Sequence, residues 1–218
     1  MTEPSSAIRS LFLDGPAGRL EALLNSGAEN ATHAALVCHP HPMFGGTLHN
    51  KVVFHAMKAL NKFGFPVLRF NFRGTGLSHG EHDHGAGETD DVRIALDWLD
   101  REFHVPLIFA GFSFGAAIGL RAACPDSRVK AVIGLGVPLN PVDERSYDFE
   151  FLRSCEKPRL FVSGSRDQFA TRASLEGLVS ALPEPKKLVI IESADHFFEA
   201  RLREMREAVE AWISETIR

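Results

Sequence analysis

Short apolar runs alternate with amphipathic segments along most of this chain. Leu36-Val37-Cys38, Val67 to Phe70, Val105 to Ala110, Ala131-Val132-Ile133, Leu160-Phe161-Val162 and Leu188 to Ile191 are largely continuous in apolar residues. A strand with one face in water would show polar residues at every second position, and these runs do not. Both of their faces must therefore be covered, which predicts a mainly parallel sheet with helices packed on each side. The segments between them supply the helices: roughly 48–63, a stretch with an acidic first turn (Glu88, Asp90, Asp91) and apolar Val92, Leu96 and Leu99, a small-residue stretch from Ala116 to Leu120, and a segment near 168–181. A final helix carries Leu202, Met205, Val209 and Trp212 on one face. The N-terminal part differs. Ile8 to Leu13 and Leu20 to Leu24 flank the turn sequence Gly15-Pro16-Ala17-Gly18, and this predicts an antiparallel hairpin at the sheet edge. No internal repeat, low-complexity tract or linker interrupts the pattern, so residues 1–218 are expected to form a single α/β domain.

Bulk properties narrow the function classes. A net charge of −4 with no basic run longer than a pair such as Lys186-Lys187 gives no footprint for nucleic acid or anionic lipid. No apolar stretch reaches membrane-spanning length, and the N-terminal residues lack the pattern of a signal peptide. The three cysteines, Cys38, Cys124 and Cys155, have neither zinc-like nor C-x-x-C spacing and read as buried thiols, in keeping with a reducing cytoplasm.

The chemistry begins at Gly111-Phe112-Ser113-Phe114-Gly115. A buried strand precedes these residues and a small-residue helix follows them. A serine on so sharp a strand-to-helix turn presents its hydroxyl above the sheet edge, and the flanking glycines relieve backbone crowding. Its hydroxyl needs a base, and the base needs an orienting group. Both should lie on loops at the carboxyl ends of later strands. Ser163-Gly164-Ser165-Arg166-Asp167 puts a carboxylate beyond one such strand, and Glu192-Ser193-Ala194-Asp195-His196 puts an imidazole beyond the next. Among the ten histidines His196 alone follows a late strand. Asp167 could instead cap the helix beginning near 168, with Asp143 as substitute acid; Asp195 reads as structural. Attack on a carbonyl also calls for oxyanion donors. The N–H of Phe114 is one candidate. The other should come from His39-Pro40-His41-Pro42-Met43-Phe44-Gly45-Gly46, where the prolines donate nothing and His41 and Met43 remain; Met43 is favoured.

The strings HPHPMFGG followed by NKVV, RFNFRGTGLSHG, GFSFG, GSRDQF and ADHFF resemble the α/β-hydrolase superfamily, specifically its small lidless bacterial branch related to dienelactone hydrolases. The resemblance covers nearly the whole chain, in the family's order. It implies the α/β-hydrolase fold and a triad of Ser113, Asp167 and His196. Dienelactone hydrolases proper carry cysteine in the elbow; serine here favours ordinary ester hydrolysis.

Other features have plainer readings. His39-x-His41 is reminiscent of a paired metal site, but the chain is too short for the barrel that uses one, and no metal or other cofactor is expected. His79, His82 and His84 read as a solvated loop. Arg73-Gly74-Thr75-Gly76 lacks the helix and acid of a nucleotide site. The stretch 137–158 is too short for a cap domain, so an open site is expected. The sequence thus predicts a cytoplasmic serine hydrolase acting on small carboxylic esters or thioesters through an acyl-enzyme. Its expected partner is a small-molecule ester, with neither nucleic acid nor membrane, and a homodimer is compatible with the sequence. An amidase or peptidase would use the same triad, and a non-catalytic binding protein would keep the fold.

Overall fold

A computed structural model describes residues 7–140 and 146–217. The N-terminal hairpin pairs β1 (Ile8–Gly15) with β2 (Gly18–Asn25), Gly15 facing Gly18 across a turn of Pro16 and Ala17. The remaining strands are β3 (Ala34–Cys38), β4 (Val67–Phe70), β5 (Leu107–Phe112), β6 (Val129–Leu135), β7 (Arg159–Gly164) and β8 (Lys186–Ile191). Among the described residues they make one eight-stranded sheet in the order β1-β2-β4-β3-β5-β6-β7-β8. β2 joins β4 antiparallel, and every pairing from β4 to β8 is parallel. The hairpin is therefore the antiparallel edge of a parallel sheet, as the N-terminal pattern predicts.

Continuous apolar strands are explained by two cores. In β3, Ala34, Leu36 and Cys38 face one side while Ala35 and Val37 face the other; in β5, Leu107 and Phe109 oppose Ile108, Ala110 and Phe112. Helices α2 (Ala86–Phe103) and α3 (Phe114–Ala123) cover the first core, α1 (Lys51–Asn61) and α5 (Leu202–Thr216) the second. Helix α4 (Arg172–Ser180) borders the first through Val179. All three cysteines are buried and free.

Two helices start later than their hydrophobic pattern suggests, because polar groups claim the preceding residues. α1 begins at Lys51 rather than near 48: the Leu48 N–H donates to Asn71 Oδ1, and Asn50 Oδ1 accepts from the Val52 N–H as N-cap. α4 begins at Arg172 rather than 168, capped by Thr171, whose hydroxyl accepts from the Ser174 N–H. Asp167 is thus not the cap of this helix. Between β6 and β7 the described residues hold only a 3-10 turn at Glu150–Ser154, leaving the carboxyl edge of the sheet without a cap.

Candidate active site

Ser113 stands between the last residue of β5 and the first of α3, at φ 54° and ψ −118°. A non-glycine residue in this region is strained, by about 1–3 kcal/mol, and persists only where its surroundings dictate it. Here the Ser113 N–H donates to the Leu135 carbonyl, and its own carbonyl accepts from the Ala116 and Ala117 N–H groups. The two glycines are required by close approach. A Cβ on Gly111 would sit 2.4 Å from the Gly115 carbonyl oxygen, and one on Gly115 would sit 2.4 Å from that of His39. As the first residue of α3, Phe114 presents an N–H with no acceptor inside the helix.

The loops after β7 and β8 are tied together. The Ser165 N–H donates to the Ile191 carbonyl and the Arg166 N–H to that of Ala194, while Ser165 Oγ accepts from the Ser193 N–H. This brings Asp167 to His196: Nδ1 lies 3.0 Å from Oδ1 and 2.9 Å from Oδ2, with the residues only 6% and 2% exposed. Each oxygen has a second donor, the Phe169 N–H at 2.8 Å for Oδ1 and the Ser163 hydroxyl at 3.1 Å for Oδ2. A carboxylate so fixed holds the proton on Nδ1 and leaves Nε2 as the basic nitrogen. Phe112, Phe169 and Phe197 surround the imidazole at ring distances of 5.0, 4.4 and 5.2 Å. Asp195 is engaged elsewhere, its Oδ1 accepting from the Glu199 N–H. Asp143 lies outside the described residues.

His39 anchors the loop after β3. Its Nε2 accepts from the Phe72 N–H at 3.0 Å, so Nδ1 carries the proton and donates to the Pro40 carbonyl at 2.7 Å. Burial lowers its pKa to about 4, and with both nitrogens engaged it is a neutral strut. Residues Pro42–Phe44 then form a 3-10 turn closed by Gly45 in the left-handed region. This turn does not present Met43 as the sequence suggested. Met43 is 67% exposed, and its N–H donates to His41 Nδ1 at 3.3 Å, within its own turn. His41, Phe44, Gly45 and Gly46 line the cavity that Ser113 opens into; Met43 lines the depressions beside it.

That cavity, of about 200 Å³, also reaches His196, Phe114, Phe169 and Phe197. Ser113 and His196 therefore share one cavity, with Asp167 behind the imidazole. Asn50, Asn140 and Tyr147 also line it, with Pro40 and Pro138, and the sequence pattern did not single out the two asparagines or the tyrosine. Asn50 is readable as a helix cap, but nothing local says what its remaining amide faces. The Arg73-Gly74-Thr75-Gly76 segment is a brace. The Arg73 N–H and guanidinium both donate to the buried carboxylate of Asp91 on α2, whose pKa burial pushes up against the pull of Arg73. His82 pairs with Glu88 at 2.7 Å. Among the described residues no three His, Cys, Asp or Glu side chains are grouped to share a metal ion, and no helix is long and apolar enough to cross a membrane.

An elbow serine beside a buried acid–imidazole pair, at the carboxyl edge of a parallel sheet, is the layout of an α/β hydrolase. Residues 43–217 match the family model described as an alpha/beta hydrolase domain, and the chain belongs to that family. An uncharacterised protein of Rickettsia prowazekii is 34% identical over 210 residues, covering 93% of this chain and 87% of its own. Among solved structures, an alpha-beta serine hydrolase homologue from Coxiella burnetii is 33% identical with a TM-score of 0.84, over 93% of this chain and 96% of its own. A serine hydrolase without lid from Xanthomonas campestris is 32% identical with a TM-score of 0.83, over 99% and 97%.

Proposed function

We propose that this hydrolase is a serine enzyme that cleaves small carboxylic esters or thioesters through an acyl-enzyme. The observation that carries the reading is the buried Asp167–His196 pair opening onto the same cavity as Ser113. In this scheme His196 Nε2 takes the Ser113 hydroxyl proton as Oγ bonds to the carbonyl carbon. The proton then passes to the departing alcohol or thiol as its bond breaks, leaving the acyl group on Oγ. Water repeats the attack, giving a proton to His196 and freeing the acid as Oγ is reprotonated. Asp167 keeps the imidazole in the working tautomer and stabilises its cation. The Phe114 N–H serves as one oxyanion donor. For the second, Met43 has turned its N–H into its own loop, and of the two donors the prolines leave, His41 is the residue bordering the cavity. The serine hydrolase homologue of Coxiella and the lidless serine hydrolase of Xanthomonas support a serine nucleophile, and the uncapped sheet edge supports small substrates.

The scheme separates two neighbouring carboxylates. Asp167→Asn should lower kcat for a short acyl ester by about 10⁴-fold, since the amide favours the wrong imidazole tautomer. Asp195→Asn, which alters a loop contact 2.9 Å from the Glu199 N–H, should stay within about tenfold of the parent. Equal losses in the two variants, measured by steady-state hydrolysis, would remove Asp167 from its assigned role.

A further inference from the structure

Two of the three buried cysteines share a hydrogen bond: Cys124, at the C-terminal cap of α3, and Cys155, at the end of the 3-10 turn between β6 and β7. Neighbouring contacts hold the segments that carry them together. Arg121 Nη2 donates to the Asp148 carbonyl at 3.3 Å, its guanidinium stands 5.6 Å over the Phe151 ring, and Lys157 Nζ donates to the Asp126 carbonyl. Both cysteines are shallow, 9% and 3% exposed, with exposed Pro125, Ser154 and Glu156 beside them in the chain. Cys38, by contrast, is fully buried in β3, in the middle of the sheet.

The cationic surroundings single out Cys155. Arg159, the first residue of β7, has no exposure, and its Nη1 and Nη2 donate to the carbonyls of Leu152 and Pro183, both at 3.0 Å. Its Nε has no partner, and among the described residues none of its bonds goes to a carboxylate. A guanidinium so buried is costly without a counter-charge. The Cys155 N–H donates to the same Leu152 carbonyl as Arg159 Nη1, which sets Cys155 beside the guanidinium. Hydrogen bonds from the Cys124 thiol and the Lys157 N–H, with the charges of Arg159 and Lys157, hold the Cys155 thiol below its ordinary range against the effect of burial. The Cys124 thiol, bonded to Cys155, is held above that range, and burial does the same to Cys38. One sulfur of the pair is thus prepared to attack, and the other keeps its proton.

We propose that Cys155 and Cys124 are a redox pair, Cys155 attacking hydrogen peroxide and Cys124 resolving the product into a reversible disulfide. The Cys155 thiolate bonds to one peroxide oxygen as the O–O bond breaks, and the other oxygen leaves as hydroxide, which takes up a proton to become water. Cys155 is then a sulfenic acid. The Cys124 sulfur attacks that of Cys155, the S–O bond breaks, and the hydroxyl departs as water with the Cys124 proton. Two thiols are oxidised by two electrons and one peroxide is reduced to two waters; a dithiol reverses the step by exchange. The bridge ties the segment that carries Tyr147 to α3, the helix that follows Ser113. This chemistry does not depend on the serine-hydrolase reading.

The test exposes the full chain at pH 7 to a modest excess of hydrogen peroxide, removes the excess with catalase, and counts thiols by alkylation after denaturation. The count should fall from three to one, with Cys38 the thiol retained and a Cys124–Cys155 peptide found by mass mapping. Dithiothreitol should restore it to three. Three surviving thiols, or losses spread over all three cysteines without the linked peptide, would overturn the pair; neither measurement needs a variant. Cys124→Ser keeps a hydroxyl donor for Cys155, and peroxide with dimedone should place an adduct on Cys155 in that variant. In Cys155→Ser the adduct on Cys124 should form at least about tenfold more slowly, the difference between a thiolate and a thiol at this pH. Equal rates in the two variants would overturn the assignment of Cys155 as the attacking sulfur.

Discussion

His39 shows how much a single side chain settles near the nucleophile. It is fully buried, holds Phe72 with one nitrogen and Pro40 with the other, and so joins the loop after β3 to the loop after β4. This has a pH signature. The unfolded chain protonates His39 near its ordinary 6.5, whereas burial delays protonation in the fold to about 4. Between these values the unfolded state binds more protons, so stability is complete above about pH 6.5 and declines as pH falls towards 4, by roughly 3 kcal/mol in all. His33 and His55, also lowered by burial, act in the same direction. The contribution of His39 is therefore isolated by His39→Asn, which offers an oxygen to the Phe72 N–H but does not titrate. Urea unfolding at intervals from pH 7.5 to 4.5 should give a flatter dependence for the variant than for the parent. Identical slopes would mean that His39 is protonated in the folded protein.

At the scale of elements, the strands were legible because burial on both faces leaves a continuous apolar run, and Asp167 and His196 because each follows such a run directly. What was not legible depends on competition or on tertiary placement. Asn50 and Thr171 override the hydrophobic periodicity at the starts of α1 and α4 by capping. Met43 sits in a turn whose N–H is claimed by a neighbouring ring, and Tyr147 reaches the cavity from a segment with no periodicity of its own. The Arg73 brace was equally hidden, since its partner lies in a helix that the acidic pattern explained by itself. Three donors of Arg73, its N–H, Nε and Nη2, make four bonds to an Asp91 side chain with no exposure. Arg73→Met should leave that carboxylate with a main-chain N–H donor but no counter-charge and cost about 3–5 kcal/mol in urea unfolding at pH 7, with Arg73→Met/Asp91→Leu recovering most of the loss. A cost below about 1 kcal/mol would show that the pair braces nothing.

For the whole molecule, the uncapped sheet edge and a cavity of about 200 Å³ set the size of what can be covered. Each methylene left in water forgoes about 0.8 kcal/mol of transfer free energy, so kcat/KM should not climb from butanoyl through palmitoyl esters of one alcohol; a steady rise would require a tunnel or a lid contributed from elsewhere. Beneath this lies the claim that one serine, strained at φ 54° between β5 and α3, performs the chemistry. Its most direct measurement is intact-mass analysis after exposure to a fluorophosphonate, followed by peptide mapping. One phosphonyl group per chain is expected, located on Ser113, and none in Ser113→Ala with an unchanged circular dichroism spectrum. Labelling of the folded alanine variant at the parental rate would contradict it.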